Sequence, residues 1–236
     1  MEIKNKVTII TGASEGIGLA TARHLSKKGA RIILAARSAD KLKQIEAELD
    51  SSLAIPTDMR SQAEIKNLID KTIKKFGQVD ILINSAGQGY YGPFEDINIE
   101  KYKEVMALNL MGPILSMQEV VPHMREQGGG VIINLSSRLS KLYIQNVGAY
   151  ASIKSALNTI SLTAREELKK DNIIISMMYP TMTSTKFGLN AINPRNDERV
   201  TGASINSWGA KIDTPDQVAE KIAWLIETGE AEASME

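Results

Sequence analysis

The chain has 236 residues, 43% hydrophobic and 24% charged, with 28 Lys and Arg balancing 28 Asp and Glu. That length suits one core, and zero formal net charge offers no general attraction to nucleic acid or an anionic membrane. The lack of cysteine excludes a disulfide framework, a thiolate metal site and a cysteine nucleophile, and His24 and His123 are too few for a histidine-rich metal centre.

No apolar run approaches the ~20 residues of a membrane span, and the charged start lacks the apolar stretch of a signal peptide. The expectation is a cytoplasmic protein of one domain, residues 1–236, with no metal, nucleic-acid or membrane partner.

The first strand is expected over residues 7–10 and the first helix over 17–28, closed by Gly29 after a Lys-rich turn. Strand 31–35 leads to helix 39–49, and strand 53–55 to helix 61–76, which Gly77 ends. Strand 81–83 precedes one long helix over 99–127, strand 131–135 precedes helix 148–170, and strand 173–178 is the sixth. Thr214-Pro215 caps and opens a last helix to 227. Near-continuous Val, Ile and Leu in strands that alternate with amphipathic helices predict a Rossmann-type α/β fold, a doubly wound parallel sheet covered on both faces.

Residues 181–213 break the rhythm. A loop this long inside a compact domain reads as a lid or substrate-binding segment. It is expected to be mobile without ligand, to offer Phe187 and Trp208 to a substrate, and to set substrate choice with Tyr143, Gln145 and Tyr90 or Tyr91.

Thr11-Gly12-Ala13-Ser14-Glu15-Gly16-Ile17-Gly18 follows the first strand and opens the first helix. Gly12 permits the tight turn, Gly16 lets backbone approach a pyrophosphate, and Gly18 lets the helix pack closely, so Ser14, Glu15 and Ile17 also belong to the cradle. After the second strand, Ala36-Arg37-Ser38 supplies no carboxylate for a ribose diol. Arg37 and Ser38 instead suit a 2′-phosphate, which favours NADP (NADPH) with NAD as the alternative.

Tyr150 and Lys154 lie four apart on a helix, hence on one face. A cation one turn away favours the phenolate, and lowering the Tyr150 pKa from ~10 by three units would need ~4 kcal/mol, shared between Lys154 and an oxidised nicotinamide. The glycine run, Asn84-Ser85-Ala86-Gly87, Asn109, Ser136-Ser137 and Tyr150-x-x-x-Lys154, in this order and spacing, resemble the short-chain dehydrogenase/reductases over about residues 5–187.

The resemblance implies Tyr150 as proton donor or acceptor, Ser137 holding the substrate oxygen, Lys154 on the nicotinamide ribose, and Asn109 seating a relay water. It implies Asp58 and Met59 at the adenine, Asn84, Ala86 and Gly87 as a wall beside the cofactor, and Pro180, Thr183 and Thr185 at the carboxamide. Pro113, lacking an N–H, leaves the Asn109 carbonyl free for that water if the helix continues.

Two departures fall in the motifs: Ser85 replaces a second Asn, and Thr181 a Gly whose loss restricts the backbone beside the nicotinamide. The sequence also stops where the family adds a seventh strand and a glycine-containing tail. That strand is therefore expected to be vestigial or missing, and the homo-oligomer a dimer or a tetramer.

The expected activity is NADPH-dependent reduction of a small-molecule ketone or aldehyde, reversibly the oxidation of the alcohol. The alternatives are a 3-oxoacyl-carrier-protein reductase, disfavoured by a single Arg in Arg125-Glu-Gln-Gly-Gly-Gly130, an NAD-dependent alcohol dehydrogenase, and a nucleotide-sensing binding protein without turnover.

Overall fold

The structure is a computed structural model that describes residues 1–194 and 212–235. Its strands are β1 (Val7–Thr11), β2 (Arg31–Ala36), β3 (Ser52–Pro56), β4 (Ile81–Asn84), β5 (Gly130–Leu135), β6 (Ile173–Tyr179) and β7 (Glu232–Ser234). The main helices are α1 (Gly16–Lys27), α2 (Ala39–Glu48), α3 (Gln62–Phe76), α4 (Ile99–Met106), α5 (Gly112–Glu126), α6 (Gly148–Leu168) and α7 (Pro215–Thr228). All strand pairings are parallel, in the order β3-β2-β1-β4-β5-β6-β7. The winding reverses between β1 and β4, and open parallel sheets bind ligands at such a switch point.

Alternation along the strands splits the core into two layers. Ile10, Ile32, Leu34, Ile83 and Ile133 face α1 and α7, whereas Ile9, Ile33, Leu82 and Ile132 face α3 and α5. This double burial accounts for strands that read as unbroken apolar runs. Helix ends carry the expected signals: Ser61 and Thr214 cap α3 and α7, the latter as a full capping box with Gln217, and Gly77 closes α3 in a left-handed conformation. No helix among the described residues is long and apolar enough to cross a membrane.

Of the two alternatives for the seventh strand the vestigial one holds, and one further expectation needs correction. β7 is three residues long and pairs with β6 through Met178 and Ala233. Its Glu232 accepts hydrogen bonds from the Tyr179 hydroxyl at 2.5 Å and from Lys141 Nζ at 2.9 Å.

The long helix expected over 99–127 is interrupted by a π-helical turn, Ala107–Met111, between α4 and α5. Pro113 has no N–H to give the Asn109 carbonyl, and the ladder widens locally so that Gly112 N–H reaches the Ala107 carbonyl. Gly112 is also required sterically, since a Cβ there would lie 2.5 Å from the Met59 carbonyl oxygen. Short 3-10 turns at Phe94–Asp96 and Arg138–Lys141 carry no periodic signal and were outside the sequence expectation, while the end of the helix expected to residue 170 tightens into a 3-10 turn at Lys169–Asp171.

Candidate active site

A cavity of about 880 Å³ opens beyond the carboxyl ends of the strands, at the switch point. Every residue expected to hold the cofactor borders it except Asn84, and so does Ser137. Strand alternation turns Asn84 away, between the sheet and α6, where its Nδ2 donates to Asn134 Oδ1 at 2.8 Å and Asn134 donates to Ser161. Its wall position falls to Ala86 and Gly87, whose loop is held by Thr11 Oγ1 accepting from the Ser85 and Ala86 N–H groups, each at 3.1 Å. These bonds engage the backbone at Ser85, so they place no demand on which side chain stands there.

The cradle has the geometry that its glycines imply. Gly12 has φ of 68° and a Cβ there would lie 2.8 Å from Ala86 Cα, while a Cβ on Gly18 would lie 2.4 Å from the Gly12 carbonyl oxygen, so the turn meets the loop after β4 and the helix only because both side chains are absent. No side chain caps the N-terminus of α1, and its first-turn N–H groups stay available to an anion.

At the end of β2, Arg37 is exposed and forms no hydrogen bond with the described residues. Ser38 stands at the N-cap of α2 with its hydroxyl unspent on a cap. Asp58 is engaged by Arg60, Nη2 to Oδ2 at 2.5 Å with a second bond from Nε, and this pairing holds its carboxyl below the usual carboxylate range. Lys41 and Arg60 also border the cavity and were missed from the sequence. Lys41 pairs with Glu15 at 3.4 Å, and its signal was its place one turn after Arg37.

The other end holds Tyr150 and Lys154, both buried on one face of α6. Lys154 Nζ donates to the Leu135 carbonyl at 2.7 Å, and burial lowers its pKa to about 8. The Tyr150 phenol is pushed up by burial, with Tyr91 adding to the shift and Ser137 opposing it. The expected drop in Tyr150 pKa is therefore absent in the chain itself: desolvation outweighs a cation that is directed at a backbone carbonyl. Ser137 caps the 3-10 turn, accepting from Leu139 N–H at 3.2 Å, and that turn is fastened to α6 by Ser155 and Asn158 bonds to Ser140. Ser136 borders the cavity too, with its hydroxyl near the Lys154 carbonyl.

Asn109 lies beneath the cavity rather than on it. Its side chain is tied to Gln88, Nδ2 to the carbonyl at 2.8 Å and Oδ1 from the N–H at 2.9 Å. Its position within the π turn is what the Pro113 argument requires of a carbonyl released from the helical ladder.

Residues 6–195 match the short chain dehydrogenase family. The chain belongs to that family. An uncharacterized oxidoreductase of Staphylococcus haemolyticus is 35% identical over 186 residues, 78% of this chain and 80% of that protein. Among solved structures, an alcohol dehydrogenase of Thermococcus sibiricus complexed with 5-hydroxy-NADP is 26% identical with a TM-score of 0.84, covering 98% and 95% of the two chains. A 7α-hydroxysteroid dehydrogenase complexed with NADH and 7-oxo glycochenodeoxycholic acid is 25% identical with a TM-score of 0.89, covering 99% and 94%. This short-chain dehydrogenase is an NAD(P)-dependent oxidoreductase.

The substrate side departs most from expectation. Tyr143 is fully exposed, and neither it nor Gln145 borders the cavity; their neighbours Leu142 and Ile144 do, as does Tyr91. Phe187 is fixed by the Tyr150 ring, with centroids 5.8 Å apart. Residues 181–194 are anchored, with Ile192 bonded to Gly89 and Tyr91 through backbone, whereas Trp208 and the rest of 195–211 lie outside the described residues.

Thr181 does not use the left-handed freedom of the glycine it replaces. It donates its hydroxyl to the buried Asp213 carboxylate. Asp213 N–H bonds the Met182 carbonyl and its own carbonyl accepts from Ser184 N–H, both at 2.9 Å, so the segment is clasped at its base. Thr183 and Thr185, which border the cavity, hang from that clasp.

Proposed function

We propose that the chain catalyses NADPH-dependent reduction of a small-molecule ketone or aldehyde, and the reverse oxidation of the alcohol. The observation that carries this reading is the pairing of an unspent Arg37 and Ser38 at one end of the cavity with a buried, protonated Tyr150 at the other. The residues fit the nucleotide: an uncapped helix start for the pyrophosphate, a cation and a hydroxyl for the 2′-phosphate, and Thr183 and Thr185 for the carboxamide. When bound, the nicotinamide supplies a hydride to the carbonyl carbon.

Ser137 holds the substrate oxygen, and Tyr150 passes its phenolic proton to that oxygen as negative charge develops. Lys154 binds the nicotinamide ribose and, as a cation one turn away, favours release of the Tyr150 proton, and the Asn109 carbonyl seats a water that returns protons from solvent. Arg125 is ion-paired with Asp171 at 2.8 Å, which supports a small molecule over an acyl carrier that would need that cation.

The same reading takes the protein as cytoplasmic and homo-oligomeric. The absence of cysteine and the exposed Met111 and Ile160 on the long-helix faces support it.

The test is a panel of ketones and aldehydes followed by NADPH oxidation, with both nucleotides titrated. Turnover with NADPH bound at least ~10-fold more tightly than NADH is the expected result. Tighter NADH binding overturns the cofactor assignment, and nucleotide binding without turnover of any carbonyl overturns the reaction.

A further inference from the structure

Two adjacent tyrosines follow β4, and the structure gives them different duties. Tyr90 is fully buried, and its hydroxyl is taken up by the Asn98 N–H at 2.8 Å. Tyr91 is 6% exposed and borders the cavity, yet its hydroxyl has no hydrogen-bond partner among the described residues. Its ring packs edge-on to Tyr150, with centroids 5.8 Å apart and an interplanar angle of 64°. Gly89 makes the space: a Cβ there would lie 3.0 Å and 3.2 Å from Cε2 and Cζ of Tyr91, the hydroxyl end of the ring.

The site therefore holds a second phenol against the first. Burial pushes the Tyr91 phenol up to about 12, so it stays protonated and can donate. It has no lysine one turn away, which separates it from a proton-transfer role. The hydroxyl borders the cavity without a bond from the described residues, so when a substrate displaces water there a ligand oxygen is the partner the geometry offers. Around the two phenols the wall is apolar, with Leu139, Leu142, Ile144 and Phe187, and the charged residues on this side, Arg138 and Lys186, are exposed. The buried ammonium bordering the cavity, Lys154, is spent on the Leu135 carbonyl and assigned to the nicotinamide ribose, so a charged substrate would lose its hydration there with no free buried ion among the described residues to replace it.

Resting on the function proposed above, we propose that the substrate is an uncharged, mainly apolar carbonyl compound with a second oxygen close to the reacting carbonyl. Tyr91 donates its hydroxyl to that second oxygen and so determines specificity.

Three probes with one aromatic skeleton test this: propiophenone, 1-phenyl-1,2-propanedione and the anionic benzoylformate. Tyr91→Phe keeps the ring and removes the donor. It is expected to lower kcat/KM for the dione ~10-fold while propiophenone stays within ~2-fold and NADPH affinity is unchanged. Wild type is expected to use benzoylformate at least ~10-fold less well than the dione.

Equal losses on dione and ketone, or no loss on either, would show that Tyr91 only packs, and a preference for benzoylformate overturns the uncharged class. A chain that binds NADPH but reduces no carbonyl overturns the reduction itself and this substrate class with it. Normal reduction without Tyr91 dependence overturns this inference alone.

Discussion

The cofactor end and the substrate end of the cavity are built on different plans. The first takes most of its groups from one uninterrupted turn, Thr11 to Gly18, and from the ends of the next two strands. The second brings Tyr91, Ser137, Ile144, Tyr150 and Phe187 together from four separate stretches of chain. A contiguous turn carries its geometry in its own glycines, so binding phosphate is a local property. A convergent site exists only after the sheet has formed, and its chemistry depends on which side of each loop faces inward. One end can thus stay fixed while the other is respecified by loop changes.

The sharpest break of that comparison is Tyr150→Phe. Removing the proton while keeping the ring should cut turnover ~10²-fold or more and leave NADPH affinity near wild type, as read by kinetics and nucleotide titration. A matching loss of affinity would mean that the two ends are not separable.

Arg37→Ala acts at the opposite end. It should raise the Michaelis constant for NADPH by ~10- to 100-fold with little change for NADH, because one charge-assisted contact to the 2′-phosphate is lost.

Thr181→Val probes the seam between the ends by opening the Asp213 clasp. NADPH affinity should fall ~5-fold, whereas 2′-phospho-ADP-ribose, which lacks the nicotinamide, should bind as before. Thr181→Ser should retain wild-type affinity, and equal loss for both nucleotides would place the clasp in general stability.

The smallest effect concerns stability. Lys154 titrates near 8 in the folded chain against 10.5 for an ordinary lysine. Between those values the unfolded state binds more protons, so stability without nucleotide should rise as pH goes from 8 towards 10. Urea titrations of wild type and Lys154→Met should show that rise only in the former.

The fold was legible because buried parallel strands announce themselves as β-branched runs and because Gly29, Gly77 and Thr214-Pro215 punctuate the helices. The π turn was half legible: Pro113 marked the broken ladder, but nothing local says whether a helix kinks or widens. β7 was barely legible because three residues of an edge strand leave almost no periodicity to read. Within the site, Asn84 was misplaced because motif membership does not tell which face of a strand a side chain takes. Tyr143 and Gln145 were preferred over Leu142 and Ile144 for the same reason, since a loop lacks the period that orients a strand. Lys154 was credited with lowering the Tyr150 pKa because spacing reports proximity, while the extent of burial appears only in three dimensions.

The short β7 has a mechanical meaning. Glu232 holds Tyr179 at the end of β6 and Lys141 at the end of the 3-10 turn that Ser137 begins, and the Lys141 ammonium lies 3.9 Å above the Tyr179 ring. The edge strand is thus a tether on the loop that carries Ser137, the serine proposed to hold the substrate oxygen. Proteolytic trimming of residues 230–235 would leave the nucleotide cradle intact and slacken the serine loop, so such a clipped protein should still retain a nucleotide-affinity resin while losing turnover.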